Sequence, residues 1–306
     1  MIGFFLRRLA ALVPVALGVA TLTFLLIHLV PGDPIIAMLG ENAASADIAG
    51  MRHQLGLDRP LLVQYGDYLG GLAHGDLGSS ISFHEPVSTL IAARFPATLE
   101  LAGAGLAVAI LIAFPLGLIS GARPGGAVDS GAMAFAIFGI SVPHIYLGPL
   151  LMIVFSLHLG WLPLTGRGGL AHLVLPAITM GTALAGILAR MLRQSLVAVR
   201  DADFIRTARS KGLTEFSALF GHGLRNALTP VVSLLGLQAG GLLTGSIVTE
   251  IIFSWPGIGR LLIEAIGARD YPLAQGCVLM FALTYVPVNV ITDVAYSLVD
   301  PRVRLT

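Results

Sequence analysis

The chain has 306 residues, 56% of them hydrophobic and 11% charged, with a mean hydropathy of +0.87 and a formal net charge of +1. Ordinary soluble domains carry about 25% charged residues, so this composition excludes a soluble globular protein, and near-neutrality excludes a nucleic-acid binder. One cysteine, Cys277, excludes an internal disulfide framework, and the single lysine, in Ser210-Lys211-Gly212, lies outside any Gly-Lys-Ser/Thr phosphate loop.

A bilayer core of about 30 Å asks for about 20 mostly apolar residues per helix. Six stretches meet that demand: Leu9 to Val30, Ala97 to Ser120, Ala132 to Leu157, Leu173 to Leu192, Ala227 to Thr249 and Leu273 to Val299. The first follows Arg7 and Arg8, but its apolar run is too long for a cleaved leader and ends in Pro31-Gly32-Asp33-Pro34, so it reads as a retained span. The expected fold is an all-α integral membrane protein with six transmembrane helices. Residues 1–30 form the tail and first helix, 31–95 an outer segment, and 96–306 a five-helix core with an inner loop at 193–225 and an outer piece at 251–272.

Arginine placement sets the orientation. With the N-terminus inside, Arg52, Arg59, Arg94, Arg167, Arg260 and Arg269 fall outside and the other twelve basic residues inside. Both termini are therefore expected in the cytoplasm. Trp161 and Trp255 fall just beyond outer helix ends, where an amphipathic ring favours the interface.

In the outer segment, Ser45 is placed to cap a short helix with Ile48, Met51 and Leu55 on one face and Gly56 at its end; Pro60 then opens a second, with Leu61, Tyr65, Tyr68 and Leu72 in a stripe. This reads either as a cap on the membrane surface or as a platform for an external partner. In the inner loop, Asp203 starts a helix that ends in Arg206, Arg209, Lys211 and Gly212; Phe204, Ala208 and Leu213 mark its apolar side, and Thr214 restarts a turn. Such a helix pair can lie on anionic lipid or enter a groove on a cytosolic partner.

Every span carries proline, at 14, 115, 143 and 149, 176, 230 and 287, and proline kinks a helix. Span five holds Gly236-xxx-Gly240 and Gly241-xxx-Gly245, which permit close helix approach. Gln238, Thr244 and Ser246 there can face a polar solute along a translocation path, or be satisfied within helix packing. The outer piece 251–272 is too short to span; Trp255, Pro256 and Gly257 within it are candidates for an outer gate or docking point, or simply staple two helices. Glu100, Glu250 and Asp293 border the apolar zone and read as members of structural ion pairs rather than proton relays. The scattered histidines have no metal-ligand spacing, and no Gly-x-Ser-x-Gly elbow is present, so neither a metal site nor a catalytic residue is assigned.

The inner loop carries a resemblance. Arg206-Thr207-Ala208-Arg209-Ser210-Lys211-Gly212-Leu213, followed by His222-Gly223-Leu224-Arg225-Asn226-Ala227, closely resembles the loop of binding-protein-dependent ABC importer permeases in the form typical of the peptide/nickel branch. Of the wider superfamily signature, Ala208, Gly212 and Leu224 match. Pro31 to Pro34, Gly75-Asp76-Leu77-Gly78, Phe95 to Glu100, Phe253 to Gly257, Arg269-Asp270-Tyr271-Pro272 and Asp300 to Arg304 agree as well. The similarity is to B-type permease subunits for dipeptides, oligopeptides, glutathione and nickel, over essentially the whole chain.

The resemblance implies a type I importer permease in the bacterial cytoplasmic (inner) membrane. It implies a second, C-type permease, two cytosolic ATP-binding subunits, an extracytoplasmic solute-binding protein and membrane lipid as partners. ATP and Mg would be held in the ATPase subunits and no cofactor by this chain. Arg206, Thr207, Ala208, Arg209, Lys211, Gly212 and Leu224 would form the ATPase-coupling site. The expected cargo is a short peptide, with glutathione or nickel as alternatives within the family. A non-transporting membrane scaffold or enzyme is the alternative of another class.

Overall fold

The computed structural model describes residues 2–29, 49–50, 52–53 and 58–299. Among them the regular structure is helical: α1 (Ile2–Leu29), α2 (Leu61–Ala73), α3 (Val87–Ala122), α4 (Ala127–Ser141), α5 (His144–Leu151), α6 (Leu170–Arg200), α7 (Asp203–Ser210), α8 (Glu215–Ala218), α9 (Leu224–Ile252), α10 (Ile258–Gly267) and α11 (Tyr271–Val299). Wide π-helical turns extend α5 over Met152–His158 and join α8 to α9 over Leu219–Gly223.

Among the described residues, four runs are long and apolar enough to cross a membrane: α3, α6, the joined run Glu215–Ile252, and Tyr271–Thr292 of α11. Hydrocarbon offers no partner to a free N–H, so the backbone must satisfy itself within each helix. The expected spans at Ala97–Ser120, Leu173–Leu192 and Ala227–Thr249 lie inside these runs, and Leu273–Val299 lies inside α11. Over the first expected span, α1 carries the apolar stretch Val13–Leu25.

The third expected span is not one rod, because α4 and α5 meet at a bend of 103°. Pro143 brings no N–H and disfavours helical geometry in the residue before it, and Val142 is accordingly extended, with φ −88° and ψ 113°. Pro14, Pro149, Pro176, Pro230 and Pro287 instead sit inside continuing helices.

The chain forms two compact units. One comprises Met1–Leu6, Thr98–Trp255 and Tyr285–Thr306. Within it α6 is enclosed by its neighbours at the closest approach a backbone allows. A Cβ on Gly181 would lie 2.5 Å from the Gly105 carbonyl oxygen of α3, and one on Gly186 2.3 Å from the Ala136 oxygen of α4. At the end of α6, Arg193 grips the α4 terminus: its Nε and Nη2 each donate at 2.6 Å to Asp129, whose Oδ2 also accepts from Gly125 N–H at 2.8 Å.

The other unit comprises Arg7–Ala97 and Pro256–Thr284. Pro60, at φ −55°, leads into α2 as expected. The inner side of α2 meets α1: the Phe24 ring lies 5.2 Å from Tyr65 and 5.8 Å from Tyr68, and Thr21 Oγ1 shares a hydrogen with Tyr65 Oη at 2.6 Å. Leu61, expected on the same stripe, is exposed. In the outer piece, α10 buries Ile258, Leu261, Leu262 and Ala265, the spacing of one helix face. Of the expected helix from Ser45 to Gly56 only residues 49–50 and 52–53 are described, and they are helical; the Pro31–Pro34 block and the tail Asp300–Arg304 lie outside the described residues.

Buried Asp270 pins the loop before α3. Ser80 Oγ and Ser82 N–H donate to Oδ2 at 2.5 and 3.0 Å, and Leu273 N–H donates to Oδ1 at 3.2 Å. Replacing Asp270 by alanine strands these donors and is expected to cost about 1.5–3 kcal/mol. The measurement is a lower apparent melting temperature in detergent together with new protease cuts between Gly78 and Pro86.

Candidate functional site

The inner loop folds as its sequence dictates. Asp203 occupies the first turn of α7, and Arg209 the last, matching the helix dipole. Gly212 takes φ +91°, a left-handed value that glycine adopts without strain; its N–H donates to the Arg209 oxygen at 2.9 Å and Leu213 N–H to the Ala208 oxygen at 3.3 Å. Thr214 Oγ1 then accepts from Ser217 N–H at 3.3 Å and starts α8.

Arg206, Thr207, Lys211 and Gly212 are exposed, and Leu224 is half-buried at the start of α9. Arg209 turns back onto the chain: Glu215 Oε1 lies 3.3 Å from it and 2.5 Å from Arg200, which ties α7 and α8 to the end of α6. Ala208, expected on the apolar side of the helix and in the coupling site, turns inward. It is 9% exposed and packs with Ile205, Ala218 and Val199, because Ile205, not Phe204, supplies the inward face of α7. Phe204, Leu213 and Phe216 point outward, at 41%, 40% and 66% exposure. Three large apolar side chains on an otherwise charged loop are the surface a partner can bury.

Along α9 the two glycine pairs have different roles. A Cβ on Gly236 would fall 1.6 Å from Thr292 Cγ2 and one on Gly240 2.2 Å from Tyr285 Cε2, so this pair is consumed by packing against α11 of the same chain. Gly241 and Gly245 have no atom within 4 Å of such a Cβ. Gly241 instead lies on an exposed stripe with Ser233, Leu237, Thr244, Val248 and Ile251, spaced three and four residues apart. Thr244 is thus on open surface and Gln238 half-buried beside it.

Ser246 does not share that face. It is fully buried and donates to the Leu243 oxygen at 2.7 Å, with Glu250 Oε1 at 3.1 Å. Thr98 Oγ1 donates to the same Glu250 oxygen at 2.8 Å. Glu250 is therefore part of an internal hydrogen-bonded cluster, while Glu100 forms an ion pair with Arg167 at 2.6 Å. The side chain of Asp293 lies outside the described residues. Between α3, α9 and α11 runs a groove of about 410 Å³ lined by residues such as Leu106, Leu235 and Ile291; nearly all its walls are apolar, which suits packing and not a peptide backbone.

The outer turn after α9 also differs from expectation. Trp255 is 0% exposed rather than interfacial, with the Arg167 guanidinium 5.9 Å from its ring centre; the Gly166 N–H donates to the Phe253 oxygen nearby at 2.8 Å. An enclosed ring cannot offer itself to a docking protein. Gly257 is buried and Pro256 half-buried. Trp161, by contrast, is 69% exposed and rests 6.0 Å from Phe155. Among the described residues no three His, Cys, Asp or Glu side chains converge as metal ligands.

Sequence reasoning missed Ile205, the Asp129–Arg193 grip and the Ser80–Asp270 contact. A first-turn acid at Asp129 was the one local signal available.

Comparison with known proteins gives a consistent result. The family described as "Binding-protein-dependent transport system inner membrane component" matches residues 113–305, and its N-terminal companion matches residues 1–102. The glutathione transport system permease protein GsiC of Salmonella choleraesuis (strain SC-B67) is 44% identical over 304 residues, covering 99% of each chain. The di/tripeptide transport system permease protein DppB of Pseudomonas aeruginosa (strain UCBPP-PA14) is 41% identical over 333 aligned positions, again covering 99% of each. Among solved structures, the MetNI methionine ABC transporter contains a chain with TM-score 0.54 at 17% identity, covering 71% of this chain and 98% of that one.

The two glycine faces of α9 make opposite predictions. Gly236→Val drives a side chain into Thr292 and is expected to exceed the usual overpacking cost of about 1–3 kcal/mol, abolishing accumulation in the membrane. Gly241→Val is expected to accumulate as the wild type does. Fluorescence-detected size exclusion of both variants checks this.

Proposed function

The chain belongs to the binding-protein-dependent transport system inner membrane components, the permease subunits of ABC importers in the bacterial inner membrane, and from that premise we propose that its cargo is a short peptide of two or three residues. Glutathione, a tripeptide, falls within that class. The observation that carries this reading is end-to-end similarity to relatives named for di/tripeptides and for glutathione. Those names support a peptide over nickel, the other cargo expected from the sequence.

In this reading the chain has no ATPase site and binds no cofactor; ATP and Mg are held by two cytosolic subunits. A second, C-type permease faces the open stripe of α9, so that Gln238 and Thr244 border the path between the two permeases. A peptide carries N–H and C=O groups that need partners on leaving water, and hydroxyl and amide side chains supply them without the selectivity of a charge. An extracytoplasmic binding protein selects and delivers the cargo. Six spans with both termini in the cytoplasm complete the arrangement, α1 being the sixth.

The coupling surface is Phe204, Leu213 and Phe216, framed by Arg206, Thr207 and Lys211. Three outcomes test the reading. Leu213→Asp and Phe216→Asp are expected to lower ATP-driven uptake of a labelled dipeptide at least tenfold with unchanged membrane levels. Gly212→Pro should do the same, since proline cannot take the positive φ of that turn. Reconstituted complex supplied with a loaded binding protein should take up dipeptide or glutathione. Uptake of nickel alone would overturn the cargo, and full uptake by all three variants would overturn the coupling surface.

A further inference from the structure

Two adjoining recesses lie where α3 ends and α4 and α8 begin. The first, about 410 Å³, is edged by Arg123, Arg200 and Glu215. The second, of the same volume, is a slot walled by Pro115, Leu118, Ile119 and Val128. Arg123, Ala122, Phe216 and Phe220 border both, so the basic recess and the apolar slot are continuous. The two phenylalanine rings stack at 4.2 Å and form one wall of the pair.

The order of chemistry along α3 is directional. From Pro115 to Arg123 the helix advances about 12 Å, passing from apolar residues to a guanidinium just past its last turn. Ile119 and Val128 are 52% and 63% exposed at the slot, leaving apolar surface open beside it. Arg123 is exposed and makes no hydrogen bond or ion pair among the described residues. Glu215 is the carboxyl nearest the recess, but it is shared between Arg200 and Arg209. Of the groups that line the recess, Arg123 and Arg200 outweigh Glu215 by one positive charge. Asp129 is engaged by Arg193 and offsets none of them.

We infer that these recesses form a binding site for an anionic phospholipid of the inner leaflet, its phosphate at Arg123 and Arg200 and an acyl chain in the slot beside Ile119 and Val128. Only a molecule with a negative head and an apolar tail satisfies both recesses at once, and basic pockets at the cytoplasmic ends of membrane helices have this chemistry. Because Phe216 and Phe220 form one wall, such a lipid braces the segment that carries the coupling surface. The inner-leaflet placement rests on the permease reading given above; the binding itself does not.

The test is a titration of the detergent-purified full chain with dioleoyl phosphatidylglycerol, read by native mass spectrometry. Dioleoyl phosphatidylcholine and glycerol phosphate serve as separate arms. Phosphatidylglycerol is expected to bind at least fivefold more tightly than phosphatidylcholine. Arg123→Gln should weaken it about fivefold, the effect of one arginine at an anionic lipid surface, whereas Arg190→Gln, exposed on α6 away from the recesses, should leave it unchanged. Equal binding of the two lipids overturns the site, as does equal weakening by both substitutions, which would mark diffuse charge attraction. Glycerol phosphate binding as tightly as the lipid would make this an anion site without a lipid and overturn the proposal too. The readout needs no partner subunit, so a failure of complex assembly, which would sink the importer reading, leaves this result intact.

Discussion

Close helix approach is the constraint on which this molecule depends. Between membrane helices there is no hydrophobic gain from excluding water, so contact must come from dense packing. Gly181 and Gly186 let α6 lie against the backbones of α3 and α4, and Gly236 and Gly240 let α9 receive Thr292 and Tyr285 of α11. Each contact is too tight for even a methyl group. The polar groups drawn in by such packing then need partners at short range, which explains why the Thr98 and Ser246 hydroxyls converge on one Glu250 oxygen. Asp129 and Arg193 meet the same need at a helix end, where loss of Arg193 would leave the buried Asp129 carboxylate without a countercharge.

What packing leaves over is as informative as what it uses. Among the described residues Gly241, Thr244 and their stripe are exposed, although Gly241 directly follows Gly240, which is locked against α11. Helical geometry puts adjacent residues about 100° apart, so one helix presents a sealed face and an open one. The sealed face fixes the fold of the chain, and on the proposed reading the open face is left for a second permease.

Hydropathy made most of the fold legible, because a span of about 20 apolar residues has almost no alternative to a helix. The bend at Pro143 was harder to see. Six other span prolines carry the same local signal, and Val142, extended ahead of the ring, is what separates it. Burial was less legible than helicity. Trp255 has the composition of an interfacial anchor, but its environment includes Arg167, 88 positions earlier in the sequence. Ala208 and Phe204 look alike as apolar residues of α7, and only the position of Ile205 between them shows which side turns inward. The inner loop was recognisable as a string of residues, but Ala208, which carries the resemblance, is buried, and Phe216, which lies outside it, is exposed.

That difference has a mechanical consequence. The recognisable residues Ala208 and Gly212 hold the loop in shape, one inside a small core and the other in a left-handed turn. A Cβ on Gly223 would lie 3.1 Å from Val199 and 3.4 Å from Ile205, so α7, the end of α6 and the start of α9 are packed into one block. The Glu215 carboxyl, paired with Arg200 and Arg209, closes the same block from its polar side. Force applied at Phe204, Leu213 or Phe216 therefore does not bend a loose loop. It is passed to α6, the most enclosed helix, and to α9, whose open face carries Thr244. On the proposed reading, a packed block at one end of α9 and an exposed stripe along it together form the route by which a push on the inner surface would reach the faces that border a path.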